Sequence, residues 1–136
     1  YRNQPKARAI IHAHPPHLIA WTIAHPHSRA LPIEYLPEML LALGKVPIAA
    51  YACPGTVDMG NVLLPYVKIY RVIALAFHGA LSWGESLEEA LNGIERVEHG
   101  AYILGLSKKL APLQELKEVP TKKLFEYWKN RGGRSL

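Results

Sequence analysis

The chain has one cysteine, two methionines and two phenylalanines in 136 residues, and none of its apolar runs is long enough to cross a membrane. A lone Cys53 excludes an internal disulfide and a cysteine-based zinc knuckle, and it fits a reducing, cytoplasmic setting. No basic-then-apolar signal segment opens the sequence. Gly55, Gly60, Gly79 and Gly84 make neither a GxGxxG nor a P-loop, and there is no GxSxG elbow, so no nucleotide or serine-hydrolase site is argued. The formal charge is +5, but the basic residues are scattered and are not interleaved with aromatics, which argues against a nucleic-acid stripe and leaves room for a small anionic substrate. The chain opens on Tyr1 with a strand close behind, the pattern of a domain entered in its middle.

What is present suits one globular domain: 49% hydrophobic and 20% charged residues, enough chain for a core. Ala7 to His14 is a nearly continuous apolar run, which predicts a strand covered on both faces. Pro15-Pro16 stops it and starts a buried helix from His17 to about Ala24. Leu31 to Leu43 reads as a loop and then a short helix ending at Gly44. Val46 to Tyr51 is a second strand, Pro54-Gly55-Thr56 is a turn, and Thr56 is placed to cap a helix over Val57 to Tyr70 that Pro65 kinks or divides. Arg71 to Phe77 is a third strand, with Leu81 to Trp83 able to pair back on it.

Ser86-Leu87-Glu88-Glu89 fits a capping box opening a long helix to about Leu110, with Leu87, Ala90, Leu91, Ile94, Val97, Ala101 and Leu104 on one side and Glu98 among them. Pro112 ends that helix, and a polar linker leads to a last helix, Thr121 to Asn130, stopped by Gly132-Gly133. The expected division is therefore 1–111 for the domain and 112–136 for linker and C-terminal helix. Three strands alone would leave sheet edges open, so further strands are implied, from upstream sequence or from another chain.

The chemistry sits on histidines. His12 and His14, one residue apart on an extended segment, project to the same face. His78 also ends a strand, just before Gly79. One such histidine would ordinarily be satisfied by a carbonyl; three point to a metal, because three imidazoles with an open position make a catalytic zinc site. Such an ion would polarise a substrate carbonyl and stabilise the enediolate left when a bond alpha to it breaks. His17 either reaches this site or caps the helix, and Glu98 either orients a bound histidine or pairs with Arg96 or a neighbouring subunit. His25 and His27 read as solvated loop residues and His99 as structural. Tyr35, between Pro32 and Pro37, is either a proton donor or a loop tyrosine that only hydrogen-bonds.

In order, Ala-Ile-Ile-His-Ala-His-Pro-Pro-His, Ala-Cys-Pro-Gly-Thr, His-Gly-Ala-Leu-Ser-Trp-Gly and Glu-Arg-Val-Glu-His-Gly-Ala resemble the class II aldolase and adducin head family, from Tyr1 to about Leu110. The resemblance implies an α/β fold, a three-layer α/β/α sandwich with a largely antiparallel central sheet, here without its N-terminal part. It implies zinc on His12, His14 and His78, an active site at the interface of a homotetramer, and Tyr35 as the proton donor to a neighbouring subunit's site. Phe77 stands where relatives often carry His or Asn, which changes the surroundings of the ligand rather than the ligand. The family's phosphate-binding loops and acid/base glutamate would lie upstream of Tyr1. The implied function is that of a cytoplasmic lyase, a zinc-dependent aldolase cleaving a ketose 1-phosphate such as L-fuculose 1-phosphate to dihydroxyacetone phosphate and an aldehyde. A sugar-phosphate 4-epimerase, a methylthioribulose-1-phosphate dehydratase and a non-catalytic adducin-like interaction domain are the alternatives; no nucleic acid or membrane partner is expected.

Overall fold

Two short strands without a polar side chain, Val46–Ala49 and Val72–Leu75, lie side by side and parallel, and all their residues are buried. In the computed structural model, which describes residues 1–110 and 121–130, they are β3 and β4. The order is β1 (Ala9–Ala13), α1 (Pro16–Ala24), β2 (Ala30–Leu31), a 3-10 turn (Ile33–Tyr35), α2 (Pro37–Leu43), β3, α3 (Val57–Asn61), α4 (Leu64–Val67), β4, β5 (Gly79–Gly84), α5 (Leu87–Leu110) and α6 (Thr121–Asn130). The sheet runs β1-β5-β4-β3-β2, and its pairings other than β3 with β4 are antiparallel.

Period-two alternation along β4 separates two cores. Val72 and Ala74 join Leu18 and Trp21 of α1, Leu40 of α2 and Val97 and Leu104 of α5. Ile73 and Leu75 point the other way, against Val62, Leu63, Tyr66 and Val67. Helices thus cover both faces, giving the expected α/β/α layering around a largely antiparallel sheet. Leu124 of α6 packs against the larger core. The expected 111/112 boundary, the linker with Pro112, and the Gly132-Gly133 stop lie outside the described residues.

Several local expectations are corrected. The sheet has five strands: the hairpin partner expected at Leu81 to Trp83 is part of β5, and the strand not expected is Ala30–Leu31, placed in or beside a loop, which pairs with Pro47 and Val46 and is too short to show a period in sequence. Thr56 does not cap α3 with its side chain; its hydroxyl donates instead to the Cys53 carbonyl at 2.6 Å. By contrast, the helix over Val57 to Tyr70 is divided as Pro65 was expected to make it, with Pro65 in the first turn of α4, where a missing N–H is tolerated. Leu87 and Leu91 are 66% and 45% exposed: Leu87 precedes the first buried residue of α5, Ala90, and Leu91 lies off the face formed by Ala90, Ile94, Val97, Ala101 and Leu104.

The start of α5 shows why the capping motif reads only partly as expected. The Glu89 N–H donates to Ser86 Oγ at 3.1 Å, as a capping box requires. The Glu89 carboxylate, however, accepts the Glu85 N–H at 2.9 Å and an Arg71 guanidinium N–H at 2.6 Å. Arg71 also lies over the Trp83 ring at 5.0 Å, and the Trp83 indole N–H donates to the Tyr70 carbonyl at 2.7 Å. This cluster ties α5 to the end of the β4–β5 hairpin remote from its turn. Further along, α5 rests directly on β5: a Cβ on Gly93 would come within 2.2 Å of Ser82 Oγ.

The bond from the Glu85 N–H, and then Arg71, hold the Glu89 carboxyl below its ordinary value. A depressed carboxylate contributes stability above its unfolded pKa of about 4, and this is lost as pH falls through the folded value. Glu89→Gln is therefore expected to be less stable than wild type at pH 7, with the gap closing in urea titrations below about pH 4. A gap that persists in acid would show that charge is not what Glu89 contributes.

Candidate metal centre

The three histidines singled out by spacing are brought together. Ring centroids of His12 and His14 are 4.9 Å apart, those of His12 and His78 4.9 Å, and those of His14 and His78 5.0 Å. One nitrogen from each lies within 4.8 Å of the others. His12 and His14 are exposed and His78 half-buried, so the triangle is open on one side.

The register of one antiparallel pair produces this triangle. β1 and β5 are aligned with Ala13 opposite Ala80, which sets the end of the HxH strand beside the turn carrying His78. The approach is closer than a side chain would allow: a Cβ on Gly79 would stand 2.3 Å from the Ala13 carbonyl oxygen and 3.0 Å from His14 Cδ2. Glycine follows His78 because there is no space for anything else.

The turn itself is unusual. The His78 N–H donates to the Leu75 carbonyl at 3.1 Å, closing a four-residue turn. Phe77, its third residue, has φ 61°, in the left-handed region that favours glycine. The Phe77 ring is 45% exposed and meets Tyr51, beyond β3, with centroids 6.2 Å apart.

The donor set suits a metal ion. His12 Nδ1 lies 2.9 Å from the Ala80 carbonyl, so as an N–H it donates there and leaves Nε2 as a lone pair, the arrangement that orients metal-bound imidazoles. His78 Nδ1 is buried and has no hydrogen-bond partner, an arrangement a bound ligand would explain. Burial first, then the proximity of His12 and His14, lowers the His78 pKa and favours the neutral, ligating form. Three imidazoles with an open position are the donors zinc takes in catalytic sites.

His17 and Glu98 act elsewhere. α1 begins at Pro16, its N-cap Pro15 offers no side-chain acceptor, and its first turn has no acidic residue. Glu98 of α5 supplies the missing cap: its carboxylate accepts the His17 N–H at 3.0 Å and the Leu18 N–H at 3.1 Å. It also contacts His17 Nδ1 at 2.6 Å, and the His17 ring packs edge-on to Tyr102, with centroids 4.7 Å apart. Glu98 falls on the apolar side of its helix because that side faces α1. His25, expected to be solvated, is half-buried and stacked on Trp21, with Lys108 against its Nε2. Tyr35 packs half-buried against the larger core; among the described residues no ring contact or hydrogen bond joins it to the histidines.

Fold and triad together define a three-layer α/β/α domain with an open three-histidine site at one end of its sheet. The chain belongs to the class II aldolase and adducin N-terminal domain family, whose pattern matches residues 1–104. It is 32% identical over 109 residues to the 3-oxo-tetronate 4-phosphate decarboxylase of Pectobacterium atrosepticum, covering 77% of this chain and 50% of that one. To the rhamnulose-1-phosphate aldolase of Listeria innocua it is 30% identical over 105 residues, covering 73% and 38%. Among solved structures, an L-fuculose 1-phosphate aldolase superposes with a TM-score of 0.76 at 28% identity, covering 95% of this chain and 59% of that one. The L-fuculose-1-phosphate aldolase of Thermus thermophilus gives 0.67 at 30% identity, covering 79% and 57%. The chain thus spans about half the length of the curated decarboxylase it resembles.

Gly79→Ala is expected to part β1 from the turn and to weaken zinc binding by about tenfold or more, while far-ultraviolet circular dichroism stays close to wild type. Unchanged affinity in a competition titration would refute the close-packing account.

Proposed function

We propose that this chain carries the metal centre of a zinc-dependent carbon–carbon lyase acting on a phosphorylated sugar or sugar acid. The observation that carries the reading is the triangle of His12, His14 and His78, open on one side and supported by the Ala80 carbonyl. Zinc held there would act as a Lewis acid on a substrate carbonyl.

The chain's own residues fix where that happens. His12 is oriented by its bond to Ala80, and His78 by the turn at Phe77. Next to His78 in the chain, the exposed Phe77 ring meets the exposed ring of Tyr51. Tyr35 is proposed as the proton donor to a departing oxyanion, in the site of a neighbouring subunit of a tetramer. Its place in the 3-10 turn before α2, half-buried but outside the triad, suits a residue that serves another copy's site better than its own.

Two substrates follow from the relatives. The similarity to 3-oxo-tetronate 4-phosphate decarboxylase favours a phosphorylated 3-oxo acid, from which the bond to the carboxyl carbon breaks and carbon dioxide leaves. The likeness to an L-fuculose 1-phosphate aldolase supports the second reading, aldol cleavage of a ketose 1-phosphate.

Elemental analysis of the purified chain is expected to find about one zinc per chain, lost in His12→Ala and His78→Ala; a chain that takes up no zinc would overturn the reading. Incubating the complete gene product with 3-oxo-tetronate 4-phosphate and with fuculose 1-phosphate separates the two substrates, carbon dioxide marking the first and dihydroxyacetone phosphate the second. Epimerisation without bond cleavage would remove both. Tyr35→Phe is expected to lower kcat by about a hundredfold with zinc content unchanged; full activity would remove Tyr35 from the mechanism.

A further inference from the structure

The turn that presents His78 holds a conformation that a phenylalanine does not favour, and two hydrogen bonds from outside the hairpin secure it. One runs between backbones, from the Ala76 N–H to the Ala49 carbonyl at 3.1 Å. The other runs from the Phe77 N–H to Thr22 Oγ1 at 3.0 Å. Any residue at 49 could make the first, whereas the second needs a hydroxyl at position 22.

Thr22 is placed to do this and little else. It lies in α1, where Leu18 to Ala24 contains no other hydroxyl, and it is only 1% exposed. Its own proton is committed to the Ile19 carbonyl at 2.8 Å, which leaves a lone pair directed at Phe77. α1 is also the helix that follows His14 after two prolines, and Glu98 holds its N-terminus. One short helix therefore touches both halves of the triad, through the chain at its start and through Thr22 in its second turn.

We propose that Thr22 is a positioning residue of the metal centre: by accepting the Phe77 N–H it holds the left-handed turn that keeps His78 within reach of His12 and His14. The inference rests on the metal reading above, and it assigns to a buried hydroxyl that touches no ligand the task of fixing the third one. An isosteric valine removes the acceptor and leaves the turn free to relax. The cost of relaxing falls on the ligand geometry, because Phe77 and His78 are consecutive.

The test is a titration with cobalt(II) as a spectroscopic stand-in for zinc, following its visible ligand-field bands at 25 °C, alongside thermal unfolding of the metal-free chains. Wild type is expected to bind, Thr22→Val about tenfold more weakly, and Thr22→Ser within about twofold of wild type. With Phe77→Gly as background, where the left-handed φ carries no penalty, the loss from Thr22→Val is expected to shrink to about threefold or less. A lower melting temperature for Thr22→Val with unchanged cobalt affinity would show a purely structural residue and overturn the inference, as would an equal loss in both backgrounds. Failure of wild type to bind cobalt would overturn the metal reading and the inference with it. Should Thr22→Val not fold, hydrogen exchange of the Phe77 amide in the wild-type chain decides: protection supports the bond to Thr22, and exchange at the rate of an open turn refutes it.

Discussion

The alignment of β1 against β5 is the constraint on which the candidate site depends. It holds Ala13 opposite Ala80 and draws the strand end at His14 against Gly79 with no room for a β-carbon. Two histidines come from one strand and the third from a turn more than sixty residues later, so local geometry supplies only the pair. A slip of one residue would turn the strand's side chains to the other face and separate the histidines. Backbone hydrogen bonding specifies the register together with the half-buried face of β1, whose Ile11 and Ala13 pack against the larger core while Ile10 and His12 face outward, so β1 is not covered on both faces as expected.

Around that pair the helices on one face act as supports. α5 rests on β5 at Gly93 and carries Glu98, which caps α1 where prolines leave no local cap. α1 in turn reaches the His78 turn through Thr22. Among the described residues the buried side-chain atoms without a hydrogen-bond partner are Trp21 Nε1, Ser82 Oγ and His78 Nδ1, and of these His78 Nδ1 belongs to the triad. The opposite end of the hairpin is secured by Arg71, Trp83 and Glu89, so the turn projects from a strand pair fixed at its base.

Family membership and geometry carry different parts of the functional argument. Membership rests on residues 1–104 as a whole, and relatives that break different bonds share it. A metal held by three histidines would serve either chemistry, because decarboxylation and aldol cleavage both break a bond next to a carbonyl that a Lewis acid can polarise. Choosing among them requires groups that contact the rest of the substrate. The three histidines contain no such group, so the family resemblance that suggested an aldolase and the similarity to a decarboxylase are both compatible with them.

Much of the fold was legible in the sequence, for reasons that can be named. Apolar runs at 46–49 and 72–75 are what fully buried strands require, paired prolines mark the start of α1, and Ser86 with Glu89 marks the start of α5. Same-face spacing made His12 and His14 a pair, and His78 was visible as a strand-ending histidine before glycine. Other features had no local signature. β2 exists only through its partner, Glu98 looked misplaced on an apolar face until α1 was seen to need a cap, and Thr22 was one hydroxyl inside an apolar helix. By itself the sequence determined which residues could be buried, where helices begin, and which side chains could bind a metal, since periodicity and residue chemistry are local properties. Only the tertiary structure decided that the third histidine meets the other two, because closing that triangle depends on strand register and on contacts between residues far apart in the chain.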